Sequence, residues 1–139
     1  MTRLVGILAL AALVTVSSGA SSADTSETRA QAAALTWLAL VDAGDYVKSW
    51  SAASEYFRGR VSQSQWLAAV SGVRTPLGAL KSRHLVSATH ARTLPGAPDG
   101  EYVVIQYASS FEHKSEATET VTPMKGADGG WYVSGYYIK

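Results

Sequence analysis

The sequence EYVVIQYASSFEHKSEATETVTPMK, residues 101–125, contains the clearest structural pattern in the chain. Apolar side chains alternate with polar ones in its first half, and threonines occupy every second position in part of its second half. A period of two residues is typical of β-strands. The short polar segment EHKS, residues 112–115, separates the two halves, which predicts an antiparallel hairpin of strands 101–111 and 116–125.

Two further strands are predicted on either side of this hairpin. Residues 80–92 read as a strand, and a turn-rich loop, LPGAPDG at 94–100, separates them from the hairpin. The glycines of GADGG, residues 126–130, form another short turn, and the last strand is predicted in GGWYVSGYYIK, residues 129–139. The four segments together predict a four-stranded antiparallel sheet.

Alternation assigns one face of this sheet to the apolar side chains. Closing both short turns pairs Tyr107 with Val121 and Val121 with Gly135. The apolar face is then predicted to carry Ile105, Tyr107, Val121, Trp131, Val133 and Tyr137. The other face carries the threonines of residues 118–122, together with Tyr132 and Tyr136.

The chain before these strands has a period of 3.6 residues, which is typical of amphipathic helices. Apolar stripes fall at Ala30, Ala34, Trp37, Leu38 and Val41 in a first helix and at Tyr46, Trp50, Ala53 and Phe57 in a second. Ser62 and Gln65 form a capping box for a third helix. The Thr-Pro pair at 75–76 is expected to close it, since a residue before proline disfavours the helical conformation.

Three helices followed by four antiparallel strands predict an α+β domain, with the helices packed on one face of the sheet. The element order resembles the NTF2-like, or cystatin-like, arrangement, in which a curved sheet wraps the helices as a half-cone. No linker or repeat interrupts residues 24–139, which predicts a single domain.

Residues 1–23 have the features of a secretory signal peptide in the usual order. Arg3 supplies a basic start, residues 4–16 are an uncharged apolar run, and small residues follow up to Ala23. The apolar run is too short for a membrane span, which needs about 20 residues. We expect cleavage after Ala23, or alternatively after Ala20, and a periplasmic or secreted protein with no membrane span after signal removal.

The composition excludes several classes of function. The chain has 12 Lys and Arg, 11 Asp and Glu and no cysteine, so a thiolate nucleophile, a disulfide and a cysteine-based metal site are excluded. The balanced charge gives no electrostatic reason to expect nucleic acid as a partner. His84 and His90 are about 20 Å apart on one predicted strand, too far for one metal ion. We expect no metal and no cofactor.

The charges are unevenly distributed along the chain. Residues 57–98 contain Arg and Lys but no acid, whereas residues 99–128 are mainly acidic. One interpretation is a basic patch for an anionic partner. The other is that the two stretches lie side by side in the sheet and neutralise each other, since opposite charges on neighbouring strands attract.

Four runs of the sequence carry a family resemblance: AALTWLALVDAGDYVKSW, LPGAPDGEYVVIQY, ETVTPM and GWYVSGYYIK. In these runs the chain resembles the bacterial proteins grouped as domain-of-unknown-function family 4019. The resemblance extends from about Ala30 to Lys139. It implies a small exported bacterial protein without an assigned activity, and it therefore carries over no catalytic residue.

Two hypotheses about function remain open. The sequence has no nucleophile elbow and no phosphate-binding loop, so the first is a non-catalytic binding or interaction module with an unknown protein or small-molecule partner. The alternative is a small NTF2-like enzyme, in which Glu119 projects between Ser109 and Tyr137 on the apolar face and acts as a general base. Pairing of Glu119 with an arginine would instead make it structural.

The aromatic residues supply the candidate sites. Ligand-binding candidates are Trp50, Tyr107, Glu119, Trp131 and Tyr137. Trp and Tyr suit a binding cleft because a large apolar body ends in a hydrogen-bond donor, although such residues also form ordinary cores. Tyr132 and Tyr136, predicted to face away from the helices, are candidate interface residues for a partner or a homodimer.

Overall fold

A computed structural model describes residues 25–139, and the predicted signal segment, residues 1–23, lies outside the described residues. Within them, four helices precede four strands. The helices are α1 (Ser26–Asp42), α2 (Tyr46–Ser51), α3 (Glu55–Arg60) and α4 (Gln63–Leu77). The strands are β1 (Leu80–Ala91), β2 (Tyr102–Phe111), β3 (Lys114–Lys125) and β4 (Trp131–Ile138). The predicted α+β class is confirmed.

The capping box predicted for the third helix is confirmed at the start of α4. The Ser62 side chain accepts the Gln65 backbone N–H at 3.2 Å, and the Gln65 side chain accepts the Ser62 N–H at 2.9 Å. The predicted end was wrong, because α4 includes Pro76 and continues one residue beyond it. Gly78 ends the helix with a φ of 74°, and a Cβ at this position would lie 2.9 Å from Glu112 Cβ. The helix therefore ends where the chain passes close to the β2–β3 turn.

The predicted second helix is in fact two helices, so the domain has four helices rather than three. Ser54 separates them: its Oγ accepts the Phe57 N–H at 3.0 Å and caps α3. Its own N–H donates to the Val133 carbonyl of β4 at 2.9 Å. Ser54 is extended, and a continuous helix would not permit this conformation or this bond to the sheet.

The sheet is antiparallel, with the strand order β1-β2-β3-β4. β2 and β3 pair Ile105 with Val121 and Tyr107 with Glu119. The predicted pairing of Tyr107 with Val121 was wrong by two residues, because β3 begins at Lys114 and the turn is shorter than predicted. A shift by an even number of residues leaves each side chain on its predicted face.

A β-bulge in β4 interrupts the pairing with β3. Val133 pairs with Pro123, but Gly135 pairs with Thr122, so Ser134 is an extra residue. Proline has no N–H to donate to the ladder, and bulges commonly accommodate it. The bulge reverses the faces of the residues that follow it.

Beyond the bulge, Tyr136 lies on the helix-facing side and Tyr137 on the other. The Tyr136 ring packs edge-on against Trp37, with ring centroids 5.4 Å apart, whereas Tyr137 is 53% exposed. The predictions that Tyr137 faces the helices and that Tyr136 faces away were therefore wrong. Before the bulge, Val133 is buried and Trp131 packs against the core, as predicted.

The core lies between the helices and the inner face of the sheet. Its buried members are Ala30, Ala34, Trp37, Leu38, Val41, Trp66, Val70, Val103, Ile105, Tyr107, Val121 and Val133. The indole N–H groups of Trp37 and Trp66 donate to the Ser49 carbonyl at 2.8 Å and to its hydroxyl at 2.9 Å. These bonds tie α2 to α1 and α4. None of the helices in residues 25–139 has the length and hydropathy of a membrane span.

Candidate functional site

Glu119 is a fully buried carboxylate on the helix-facing side of β3, with 0% of the residue exposed. Arg83 donates to it from Nε to Oε1 at 2.7 Å and from Nη2 to Oε2 at 3.0 Å. Ser109 Oγ donates to Oε1 at 2.5 Å, and the Tyr136 hydroxyl donates to Oε2. Each carboxylate oxygen therefore has two donors, which satisfies the acceptor capacity of an ionised carboxylate.

Arg83, on β1, is shared between two carboxylates. In addition to its bonds with Glu119, it donates from Nη1 to Asp42 Oδ2 at 2.8 Å and from Nη2 to Asp42 Oδ1 at 3.0 Å. Burial acts to lower the pKa of Arg83, but the hydrogen bonds and negative charges of Asp42 and Glu119 outweigh it and raise the pKa above its ordinary value. The guanidinium is therefore a fixed cation.

Asp42 is the last residue of α1, where a negative charge is unfavourable because the helix dipole already places its negative end there. Two arginines offset this: Arg83 and Arg74, whose Nη2 donates to Asp42 Oδ1 at 2.9 Å. Arg74 comes from α4 and is only 5% exposed, and its guanidinium carbon lies 4.9 Å from the centre of the Phe111 ring. Arg74 thus connects α4 with α1 and with the sheet.

Tyr136 completes the cluster from β4. Its hydroxyl donates to Glu119 and lies 3.5 Å from Arg74 Nη1. Burial raises the pKa of Tyr136, and the charge and hydrogen bond of Glu119 raise it further. The phenol therefore keeps its proton and serves as a donor to the carboxylate.

We call these six residues the Glu119 network: Asp42, Arg74, Arg83, Ser109, Glu119 and Tyr136. One residue comes from each of α1, α4 and the four strands. Two carboxylates and two guanidinium groups balance each other. The side chains of Arg74, Arg83 and Glu119 are buried, and since a buried charge without its partner is costly, each of them depends on the carboxylate or guanidinium that it contacts.

Both oxygens of Glu119 accept hydrogen bonds from donors within the network. A general base needs an acceptor position within reach of the substrate proton, whereas both Glu119 oxygens are occupied and the residue has no exposed surface. Nor do residues 25–139 bring three His, Asp or Glu side chains together as ligands for a metal ion. The hydrogen bonds of Glu119 connect β3 with β1, β2 and β4.

The structure places two of the predicted ligand-binding residues together. Tyr107 is the cross-strand partner of Glu119, is buried, and has a hydroxyl without a hydrogen-bond partner among the described residues. Burial raises the pKa of Tyr107. Trp50 and Trp131 pack against the core, and Trp50 Nε1 donates to the Val61 carbonyl at 2.8 Å. A role of these residues in ligand binding stays a prediction.

Tyr132, a predicted interface residue, lies against the β3–β4 turn. Its hydroxyl donates to Asp128, and this hydrogen bond raises the pKa of Tyr132 and lowers the pKa of Asp128. A Cβ at Gly126 would lie 2.9 Å from Tyr132 Cε2, so the ring occupies the space that this glycine leaves open. Tyr132 therefore stabilises the turn, and its role in an interface stays a prediction.

An apolar cleft with a volume of about 170 Å³ lies beside the network, between α4 and β4. It is lined by Trp66, Ala69, Val70, Val73, Arg74, Tyr136, Tyr137 and Ile138. A cavity of about 150 Å³ holds a benzene molecule, so the cleft has room for a single aromatic or branched side chain. Glu119 does not line it.

The sequence placed Glu119 beside Ser109 and left open its pairing with an arginine, but it identified neither Arg83 nor Asp42 as a member of the site. A signal was present on both helices, because Asp42 continues the apolar stripe of α1 four residues after Leu38, and Arg74 does the same on α4 after Val70. Arg74 is buried and therefore requires a partner of opposite charge, which Asp42 supplies from the more exposed end of α1. Arg83 had no comparable signal, since the alternation of its strand was ambiguous.

Comparisons with known proteins identify the chain at the level of its family. A family model described as "Protein of unknown function (DUF4019)" matches residues 33–136, a range that contains the whole Glu119 network. No curated protein and no solved structure matches the chain, so the NTF2-like label stays a prediction. The chain belongs to the DUF4019 family of proteins of unknown function.

Proposed function

We propose that the protein is an exported binding or interaction module without catalytic activity. The observation that carries the proposal is the closure of Glu119, which is fully buried and accepts hydrogen bonds from Arg83, Ser109 and Tyr136. It is the only carboxylate that the sequence offered as a general base, and its acceptor positions are already used inside the protein.

The NTF2-like enzyme is the less supported alternative. It requires a cavity between the helices and the sheet through which a substrate reaches Glu119. The cleft between α4 and β4 does not include Glu119, and Arg83 already donates hydrogen bonds to both Glu119 and Asp42. A structural role for the carboxylate fits these contacts better.

The location outside the cytoplasm rests on residues 1–23, whose basic start, apolar run and small residues follow the order of a signal peptide. If the interior of the domain is filled by its own side chains, a partner has to bind on the surface. Large apolar side chains are exposed there at Leu35, Val47, Val73, Leu85, Val86 and Tyr137. Two pairs of them are adjacent, since Leu85 and Val86 are neighbours on β1 and Val73 and Tyr137 line one cleft, and contiguous apolar surface is typical of interaction sites.

Site-specific photo-cross-linking in the native bacterium tests the proposal. A photoreactive phenylalanine analogue replaces Val86 or Tyr137, both exposed, and replaces the exposed polar residue Thr36 as a control. We expect a discrete adduct of higher mass from at least one apolar position and none from Thr36. Absence of adducts at Val86, Tyr137 and the other exposed apolar positions would contradict a binding function.

A further inference from the structure

We infer that the free edge of β1 binds an extended, acidic segment of another protein as an additional strand of the sheet. The inference rests on the proposed binding function and specifies its surface and the chemistry of its partner. The free edge of β1 means the side of Leu80–Ala91 that does not pair with β2.

β1 is an edge strand, because the sheet order is β1-β2-β3-β4. An edge strand has backbone N–H and C=O groups available to another chain, and many proteins recognise extended segments through them. At 12 residues, β1 offers a long edge. Its central apolar side chains are open to solvent, with Leu85 49% and Val86 62% exposed.

The register of β1 defines where a new strand can pair. Leu85 pairs with Tyr107 and Ser87 with Gln106, so Val86 is the extra residue of a bulge. The pairing is regular from Ser87 to Ala91. The bulge projects Val86 from the ladder, and an arriving strand can pair along the regular segment while its apolar side chains contact Leu85 and Val86.

The charges of this edge specify the partner. All ionisable side chains of β1 are basic, namely Lys81, Arg83, His84 and His90, and Arg92 follows directly. Arg83 is neutralised inside the Glu119 network, and His90 lies 3.5 Å from Glu101. Among the described residues, no carboxylate lies within 4.0 Å of Lys81 or Arg92.

Residues 57–98 contain basic side chains and no acid. The fold therefore neutralises only some of these positive charges. Lys81 and Arg92 stand near the two ends of an edge whose centre is apolar. A complementary segment has carboxylates toward its ends and apolar side chains at its centre, since opposite charges on neighbouring strands stabilise pairing.

Two other readings of the edge fit less well. Bulges and lysines protect edge strands against aggregation, but a protected edge does not need the exposed pair Leu85 and Val86 at its centre. A second copy of the chain is also a poor partner. Pairing of two β1 strands brings no carboxylate of β1 to Lys81 or Arg92, because Leu80–Ala91 contains no acid, whereas an acidic segment supplies the opposite charges that stabilise pairing.

Two matched synthetic peptides test the inference on protein purified after export. Both have alternating valine and threonine at the centre, one with glutamates at each end and the other with lysines. We expect fluorescence anisotropy to show the acidic peptide binding about tenfold more tightly, with an affinity that falls as salt is added. The variant Lys81→Glu/Arg92→Glu should reverse this preference.

A matched control carries the same change in net charge away from β1, at the exposed residues Arg29 and Lys48. Arg29→Glu/Lys48→Glu should retain the preference for the acidic peptide. Three results would overturn the inference. The two peptides bind equally well, neither peptide binds, or the Lys81→Glu/Arg92→Glu variant still prefers the acidic peptide.

Two further results separate this inference from the proposed function. If adducts form from Tyr137 but not from Val86, the proposed binding function is supported. The same result overturns the inference that β1 is the binding surface. Concentration-dependent dimerisation in analytical ultracentrifugation that Val86→Ser abolishes identifies a second copy as the occupant, and this also overturns the inference.

Discussion

Arg83 and Glu119 lie on strands that do not pair with each other, yet Arg83 Nε and Glu119 Oε1 are 2.7 Å apart. β2 runs between β1 and β3. Its Ser109 is the register partner of Arg83 and donates its hydroxyl to Glu119. The small serine leaves room for the arginine to cross β2, so a single ion pair connects three strands on the buried face.

Removal of the Glu119 charge should strongly destabilise the fold. Glu119→Gln keeps the shape of the side chain but leaves the buried Arg83 with one counter-ion fewer. Breaking a buried ion pair typically costs about 3–5 kcal/mol, and we expect a loss of this order in the free energy of unfolding measured by urea denaturation. Glu116→Gln, at an exposed position of the same strand, should change it by less than about 0.5 kcal/mol. Equal losses in both variants would contradict a structural role.

Stability should decline in alkaline solution because of Tyr136. Its pKa is raised above the ordinary 10.0 by burial and by Glu119, so the folded protein retains a proton that the unfolded chain loses. The stabilisation is fully present below about pH 10 and is lost as the pH rises toward the raised value. Tyr136→Phe should reduce this alkaline slope, which urea titrations at several pH values measure. Tyr102 and Tyr107, whose pKa values burial also raises, account for part of the slope that remains.

Tyr137 provides the control for this experiment. It is exposed on the outer side of the bulge, and Tyr137→Phe should leave the pH dependence unchanged. If Tyr137→Phe alters the alkaline slope and Tyr136→Phe does not, the position of the bulge at Ser134 is wrong.

The β3–β4 turn should not tolerate a side chain at Gly126. A Cβ there would lie 2.9 Å from Tyr132 Cε2, and the stiff ring has little freedom to move. We expect Gly126→Ala to lower the free energy of unfolding by about 1–3 kcal/mol, as overpacking usually does. Gly59→Ala, in α3 with no atom within 4 Å of the new Cβ, should be neutral or stabilising because alanine favours helices. If Gly126→Ala leaves the free energy of unfolding unchanged, Tyr132 does not pack against the β3–β4 turn.

Local sequence signals predicted the parts of the fold that depend on neighbouring residues. The capping box of Ser62 and Gln65 and the alternation in β2 and β3 need no distant contact, and both were correct. The break at Ser54 was missed because it depends on a hydrogen bond to Val133, far along the chain. The bulge at Ser134 was missed for a related reason, since it arises from pairing across the β3–β4 hairpin.

The candidate site was predictable only in part. Alternation placed Glu119 on the inner face and near Ser109, and pairing with an arginine was one of the interpretations left open. Which arginine, and the contribution of Asp42, required the strand order and the position of α1 above the sheet. These depend on packing between elements that are far apart in sequence.

Export can be tested independently of the fold. Mass spectrometry of the protein recovered from the periplasm of a Gram-negative host should find an N-terminus at Asp24, or alternatively at Ser21, because signal peptidases cut after small residues. Retention of the full-length chain in the inner membrane would contradict the signal-peptide interpretation.

We expect that the Glu119 network stabilises the fold and that binding takes place on the surface. Cross-linking from Val86 in the Glu119→Gln variant tests this expectation. Circular dichroism of the purified variant identifies a temperature at which it is folded. At this temperature the variant and the wild-type protein are cross-linked side by side in the cells that produce them. We expect the same adducts in the same yield, because Glu119 has no exposed surface. A folded variant that has lost its adducts would show that the carboxylate takes part in the function itself.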